Sequence, residues 1–163
     1  MRIYGVTGWK NAGKTTLMER LVAEIAGRGL RVSTVKHAHH DTDVDQPGRD
    51  SFRHREAGAA EVMLASPRRW ALMTELRGAP EPDLALLLAR MAPVDLVLVE
   101  GYKRAPHPKV EAWRAVNGKP PIAAQNDTIR AIAGDERPTS GLPFLPLDDT
   151  AAIADFILTE VGL

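Results

Sequence analysis

Residues 3–16 read Ile3-Tyr4-Gly5-Val6-Thr7-Gly8-Trp9-Lys10-Asn11-Ala12-Gly13-Lys14-Thr15-Thr16. The first five are mostly apolar or β-branched and stop at Gly8, the pattern of a buried strand. Gly8 to Thr15 then fits G-x-x-x-x-G-K-S/T, a loop whose backbone N–H groups point at phosphate oxygens. Beyond it, Leu17, Leu21, Val22, Ile25 and Ala26 recur at helical spacing until Gly27 and Gly29 end the run. The motif thus falls between a strand and a helix, where its chemistry needs it. The glycines permit the turn, and the helix start adds the partial positive charge of its N-terminus. Lys14 is expected to contact the β- and γ-phosphates, and Thr15 to place its hydroxyl on Mg2+. Gly8, Asn11, Ala12, Gly13 and Thr16 complete the expected cofactor-binding set. The alternative is an incidental glycine-rich start to a helix. Lys10 reads as a solvated loop lysine.

Working outward, Arg31 to Lys36 reads as a second strand. Strand, loop, helix, strand over this length is a βαβ unit, which implies a parallel sheet with helices on its faces. A polar stretch, His37 to Ser51, follows, then a short helix from Ser51 to Ala60 ending near Gly58. Glu61 to Ala65 and Trp70 to Leu76 read as a hairpin turned at Ser66-Pro67-Arg68-Arg69. Pro82 to Met91 reads as a helix with Pro82 in its first turn. Asp95 to Glu100 is near-continuously apolar, as in a strand buried on both faces. Lys109 to Ala115 and Ile129 to Ala133 are further strands separated by a loop. Asp148 to Val161 is a helix capped by Asp148 or Asp149. The expected class is α/β: a mostly parallel sheet with flanking helices, a P-loop NTPase fold, and a β-hairpin excursion. Residues 1–163 are read as a single nucleotide-binding domain, with a β-rich dimerisation element at about 60–77.

Composition bounds the function. The 163 residues carry 21 basic and 21 acidic side chains, which argues against a general nucleic-acid or polybasic membrane binder. No cysteine is present, which removes disulfides, Cys-based metal sites and thiol catalysis. No apolar run nears the length of a membrane span, and the N-terminus lacks the pattern of a signal peptide, so a cytoplasmic protein is expected. The charge is uneven, however. Residues 1–40 hold seven basic and two acidic side chains, and residues 127–163 hold two basic and seven acidic ones. Something anionic is expected near the start.

The acidic candidates follow from the cradle. A P-loop site uses a carboxylate at the end of a neighbouring strand to hold Mg2+. Glu100, followed by Gly101, stands there; the alternative is a loop-facing charge. Asp95 begins the same strand. After the second strand comes Lys36-His37-Ala38-His39-His40-Asp41-Thr42-Asp43-Val44-Asp45, with three imidazoles and three carboxylates. Loops at the carboxyl ends of parallel strands gather on the ligand side. Asp41, Asp43 and Asp45 alternate, so an extended backbone aims them one way. They are candidates for Mg2+, for an attacking water or for a partner's ligand; a transition-metal site and a solvated acidic loop are the alternatives. Asp41, Asp43 and Glu100 form the catalytic set, and Thr15, Glu100 and Asp41 the metal set. Arg49, Arg53 and Arg55 are expected to pair with Asp41, Asp43 and Asp45; contact with phosphate is the alternative. Trp9, Trp70 and Trp113 are expected to pack, and His107 has no evident role.

At this point the chain resembles the MobB-type molybdopterin-guanine dinucleotide biosynthesis adaptor proteins. The likeness rests on G-W-K-N-A-G-K-T-T-L, V-K-H-A-H-H-D-T-D-V-D-Q-P-G-R-D-S-F-R-H-R-E-A-G-A, L-V-L-V-E-G-Y-K and P-K-V-E, which run from residue 5 to about 111. The resemblance implies GTP with Mg2+, at most slow hydrolysis, and a homodimer. It also implies an adaptor role beside the guanylyltransferase that joins GMP to molybdopterin, which makes that enzyme the expected partner and molybdopterin a candidate ligand. It puts Gly8, Gly13, Lys14, Thr15 and Thr16 on the nucleotide site, and Glu100 and Gly101 at the Walker B-like position. No N/T-K-x-D segment for reading guanine is present, so GTP over ATP comes from the resemblance alone; Asp135 stands at a strand end from which a base is approachable. The rival functions are a P-loop small-molecule kinase and a GTP-driven metal chaperone, the latter suggested by His37, His39 and His40.

Overall fold

The computed structural model describes residues 1–38 and 43–163. The chain divides into two compact units, one of Met1–His37 with Met91–Leu163 and one of Ala38–Arg90.

The first unit is built on a six-stranded sheet. Its strands are β1 (Arg2–Thr7), β2 (Val32–Lys36), β5 (Leu96–Glu100), β6 (Lys109–Trp113), β7 (Ile129–Gly134) and β8 (Phe144–Pro146). Their order is β2-β5-β1-β6-β7-β8, and every pairing is parallel. β1 sits between β5 and β6, with Arg2 opposite Leu96 and Gly5 opposite Lys109. All five residues of β5 are buried, as its unbroken apolar run requires. Helix α1 (Lys14–Gly27) buries Leu17, Met18, Leu21 and Ile25, the stripe expected from its periodicity. It ends where Gly29 takes φ +84° and Leu30 donates its N–H back to Ile25, a left-handed stop. Helix α4 (Thr150–Val161) is capped by Asp149, whose side chain accepts from the Ala152 N–H. Its Ile153, Ala154 and Ile157 share one core with α1, Tyr4, Val6, Leu96 and Leu98. Arg20 secures the start of α4 by donating to the Leu147 carbonyl at 2.7 Å.

The second unit holds α2 (Asp50–Glu56), the antiparallel ribbon of β3 (Glu61–Ala65) and β4 (Trp70–Thr74), and α3 (Leu84–Ala89). Ser66 closes the hairpin turn through its N–H and hydroxyl, both donated to the Arg69 carbonyl. Val62, Ser51 and Leu88 are buried in it, as is the Asp45 side chain. Met63, Leu64 and Trp70 point outward and are more than half exposed, so Trp70 is not the packing residue expected.

Several expectations need correction. α2 starts at Asp50 and stops at Glu56, short of Ala60, and β4 stops at Thr74, short of Leu76. α3 starts at Leu84 because the Asp83 side chain accepts from the Leu86 N–H at 2.7 Å, which leaves Pro82 ahead of the cap. β6 ends at Trp113, where the chain turns into a short 3-10 helix, Ala115–Asn117. A second such turn, Ile122–Gln125, occupies part of what reads as loop, and β8 was not anticipated.

Candidate functional site

The end of β1 delivers the chain into the loop at Gly8. Gly8 takes φ +146°, and a Cβ there would lie 2.3 Å from the Ala112 carbonyl oxygen on β6. Only glycine fits both the angle and the gap. Asn11 at φ +65° and Gly13 at φ +87° complete the winding. Gly13 is also the N-cap of α1, so no capping side chain takes the first-turn N–H groups. They are the donors an anion needs. Ala12 is buried under the loop, whereas Asn11 and Thr16 are exposed.

The loop's side chains are poised against each other. Lys14 Nζ donates to the Trp9 carbonyl at 2.8 Å. Thr15 Oγ1 donates to Glu100 Oε1 at 3.1 Å, which joins the two halves of the expected metal site. Glu100 is 9% exposed, and its other oxygen lies 3.7 Å from Lys36 Nζ. Thr15, Met18, Thr34, Lys36 and Glu100 line a cleft of about 430 Å3. Burial pushes the Lys14 ammonium below the usual lysine range; Glu100 opposes that shift, and Lys103 and Lys36 add to it.

Gly101 takes φ +93°, with His37 Cβ only 3.0 Å from where a Cβ would stand. The Gly101 N–H reaches the Val6 carbonyl, and the His37 N–H reaches that of Glu100. These bonds hold the residues after β2 and β5 close together. The His37 ring stacks on Tyr102 at 4.6 Å between centroids.

Other expected residues go elsewhere. Asp43 and Asp45 both face Arg55 in the second unit, at 2.7 and 3.5 Å, and Arg55 also meets Glu75 at 2.8 Å. The alternation of the acids is thus used on a guanidinium, which holds the Asp43 carboxyl below its usual range. Asp41, with His39 and His40, lies outside the described residues. Among the described residues no cluster of three or more His, Asp or Glu side chains is arranged to hold a metal. Asp135 accepts from the Ala115 N–H at 3.0 Å, and Asp95 accepts from the Arg31 N–H at 2.8 Å at the far end of the sheet. Arg53 sits 4.0 Å from Asp50, and Arg49 donates to Gln46.

Two buried charges escaped the sequence reading. Glu111 on β6 is fully buried and accepts from the Ile122 and Ala123 N–H groups at 2.7 and 2.8 Å. Burial raises its pKa, and those two bonds counter the rise. Lys109, also fully buried, donates to the carbonyls of Ala105 and His107 and to Thr128 Oγ1. Burial pushes its pKa down to about 8. Both belong to P-K-V-E, so the resemblance was the available signal. His107 lies against Gly5, with Nε2 2.7 Å from where a Gly5 Cβ would be.

Comparison with known proteins bears on this arrangement. The family model described as "Molybdopterin guanine dinucleotide synthesis protein B" matches residues 3–135. The molybdopterin-guanine dinucleotide biosynthesis adapter protein of Escherichia coli (strain K12) is 40% identical over 153 residues, covering 92% of this chain and 87% of that one. The protein of the same name from Haemophilus influenzae is 40% identical over 158 residues, covering 95% and 86%. The crystal structure of a MobB protein homolog from Bacillus stearothermophilus superposes with a TM-score of 0.74 at 32% identity, covering 99% of both chains.

Proposed function

The chain belongs to the MobB family, and from that premise we propose that it is a GTP-binding adaptor of molybdopterin-guanine dinucleotide biosynthesis. It assists the guanylyltransferase by binding or delivering nucleotide or cofactor, and does not perform the transfer itself. The observation that carries this reading is the cradle from Gly8 to Thr15, closed by the Thr15–Glu100 hydrogen bond. Loop N–H groups and the start of α1 receive the phosphates. Lys14 exchanges the Trp9 carbonyl for β- and γ-phosphate oxygens.

The donors suit Mg2+. The Thr15 hydroxyl and the Glu100 carboxylate are hard oxygens 3.1 Å apart at the mouth of a cleft. Thr15 would hold the ion directly and Glu100 through water, and the ion would neutralise phosphate charge. Hydrolysis is weak or absent. Supporting this, Glu100 is engaged by Thr15 and Lys36, and Asp43 and Asp45 by Arg55. The protein acts as a homodimer joined through the 61–74 ribbon, whose Met63, Leu64 and Trp70 offer apolar surface for a second copy.

Calorimetry with GTP and ATP, with and without Mg2+, tests the assignment on wild type and Lys14→Ala. GTP is expected to bind wild type, and the variant to bind at least about tenfold more weakly, or about 1.4 kcal/mol. Equal affinities would refute the cradle.

A further inference from the structure

Trp9, inside the phosphate loop, holds three ammonium groups. Lys14 Nζ sits on its carbonyl. Lys103 Nζ lies 4.9 Å and Lys119 Nζ 4.8 Å from the centre of its ring. Among the described residues neither Lys103 nor Lys119 meets a carboxylate. Glu111 feels the charge of Lys103, but both its oxygens already accept backbone N–H groups. The Lys103 charge also reaches Lys14, whose protonated form it disfavours. Two further cations therefore stand beside one cradle that is already positive.

Their backbones are held in place from elsewhere in the fold. Asn126 Nδ2 donates to the Lys103 carbonyl at 2.8 Å, and Asn126 Oδ1 is itself fixed by the Thr128 N–H and hydroxyl. Buried Lys109 gathers the Ala105 and His107 carbonyls of the same loop. On the other side Trp113 Nε1 donates to the Lys119 carbonyl at 2.8 Å, and Trp9 Nε1 to the next carbonyl, Pro120, at 2.9 Å. An ammonium over an indole at an exposed site gains little. A charge-assisted bond to phosphate is stronger, so the ring is a holding place that an anion can outbid.

We propose that Lys103 and Lys119 form a second anion site at the Trp9 edge of the cradle, taking a terminal phosphate group beyond the nucleotide's β-phosphate. The site rests on the nucleotide-binding reading above and deepens it. The phosphate has two sources: the γ-phosphate of the bound nucleotide, or the phosphomonoester of a second ligand. Either way the ammoniums leave the indole for phosphate oxygens.

Calorimetry on wild type, K103Q/K119Q and K103R/K119R separates the outcomes, with GDP, GTP and inorganic phosphate as probes. Phosphate is titrated into both the nucleotide-free and the GDP-loaded protein. If the γ-phosphate is the occupant, the Gln pair weakens GTP about tenfold and GDP less than about twofold. If a second ligand supplies the phosphate, both nucleotides bind the Gln pair normally, and phosphate binding to the GDP-loaded protein falls about tenfold. In each case the Arg pair stays within about threefold of wild type. The inference is overturned if all three probes bind the Gln pair within about twofold of wild type, or if the Arg pair loses as much as the Gln pair. Should wild type bind neither nucleotide, the parent reading fails. The nucleotide-free phosphate titration then decides this one: a loss in the Gln pair supports it, and no loss overturns it.

Discussion

Replacing Gly8 by alanine tests whether the cradle is set by backbone packing. Two costs add. At φ +146° an L-residue stores strain of about 1–3 kcal/mol. The new Cβ would stand 2.3 Å from the Ala112 carbonyl oxygen, roughly 1 Å inside ordinary contact. That oxygen belongs to the backbone of β6, whose Val110 and Ala112 are fully buried, so it has little room to retreat. Overpacking of this kind costs about 1–3 kcal/mol. The expected loss for Gly8→Ala is therefore about 2–6 kcal/mol, a fall in Tm of roughly 5–20 °C for a chain of this size. Gly13→Ala is the control. Its φ of +87° carries the strain, but its Cβ would come no closer than 3.4 Å to Arg114 and 3.8 Å to Leu147, ordinary contacts with side-chain ends. It should lose only about 1–2 kcal/mol. Urea and thermal unfolding followed by circular dichroism compare the two. A Gly8→Ala protein within about 1 kcal/mol of wild type, or more stable than Gly13→Ala, would refute the reasoning.

Three further outcomes are expected. Burial, and then the Lys109 charge, hold the His107 imidazole down at about 4 instead of its usual 6.5. Between those values the unfolded chain binds a proton that the folded one does not, so stability falls as pH drops through that window, by up to about 3 kcal/mol. His107→Asn should flatten the fall in urea titrations at successive pH values; parallel curves for the two proteins would count against it. Glu111→Gln leaves one of the Ile122 and Ala123 N–H groups facing an amide NH2, and should cost about 1–3 kcal/mol in urea unfolding. An unchanged midpoint would show that these two bonds do not hold the turn. For the proposed homodimer, wild type should sediment as a dimer and Leu64→Lys with Trp70→Lys as a monomer; a dimer that persists in the variant would refute the ribbon as its interface.

The parts legible in the sequence were those whose signal is local. Gly8 to Thr15 announces itself because the glycines, Lys14 and Thr15 of the motif stand within one short stretch of chain. β5 reads out because a strand covered on both faces has no polar positions to confuse it. Glu100 was findable because it ends that strand. What escaped depends on distant partners. Nothing in Lys109-Val110-Glu111 says that both charges are fully buried, since their acceptors and donors come from residues 105, 107, 122, 123 and 128. The lysines over Trp9 stand 94 and 110 positions away along the chain. β8 is three residues, ends in Pro146 and follows Pro143, and is too short for a period to emerge. Asp43 and Asp45 do share a partner, and it is one of the three arginines the sequence offered them, but nothing local singles out Arg55 over Arg49 or Arg53.

The central position of β1 has a consequence for the order of events during synthesis. The strand that carries the cradle is made before every other strand of its sheet, yet its neighbours are Leu96–Glu100 and Lys109–Trp113. Gly8 takes its place against the Ala112 carbonyl, which does not exist until about a hundred further residues have been made. At about 5–20 residues per second, the first strand waits several seconds without a sheet to join. A nascent chain that ends before about residue 113 therefore carries the whole G-x-x-x-x-G-K-T motif but not the packing that shapes it, and the proposed nucleotide site forms only after the middle strands are in hand.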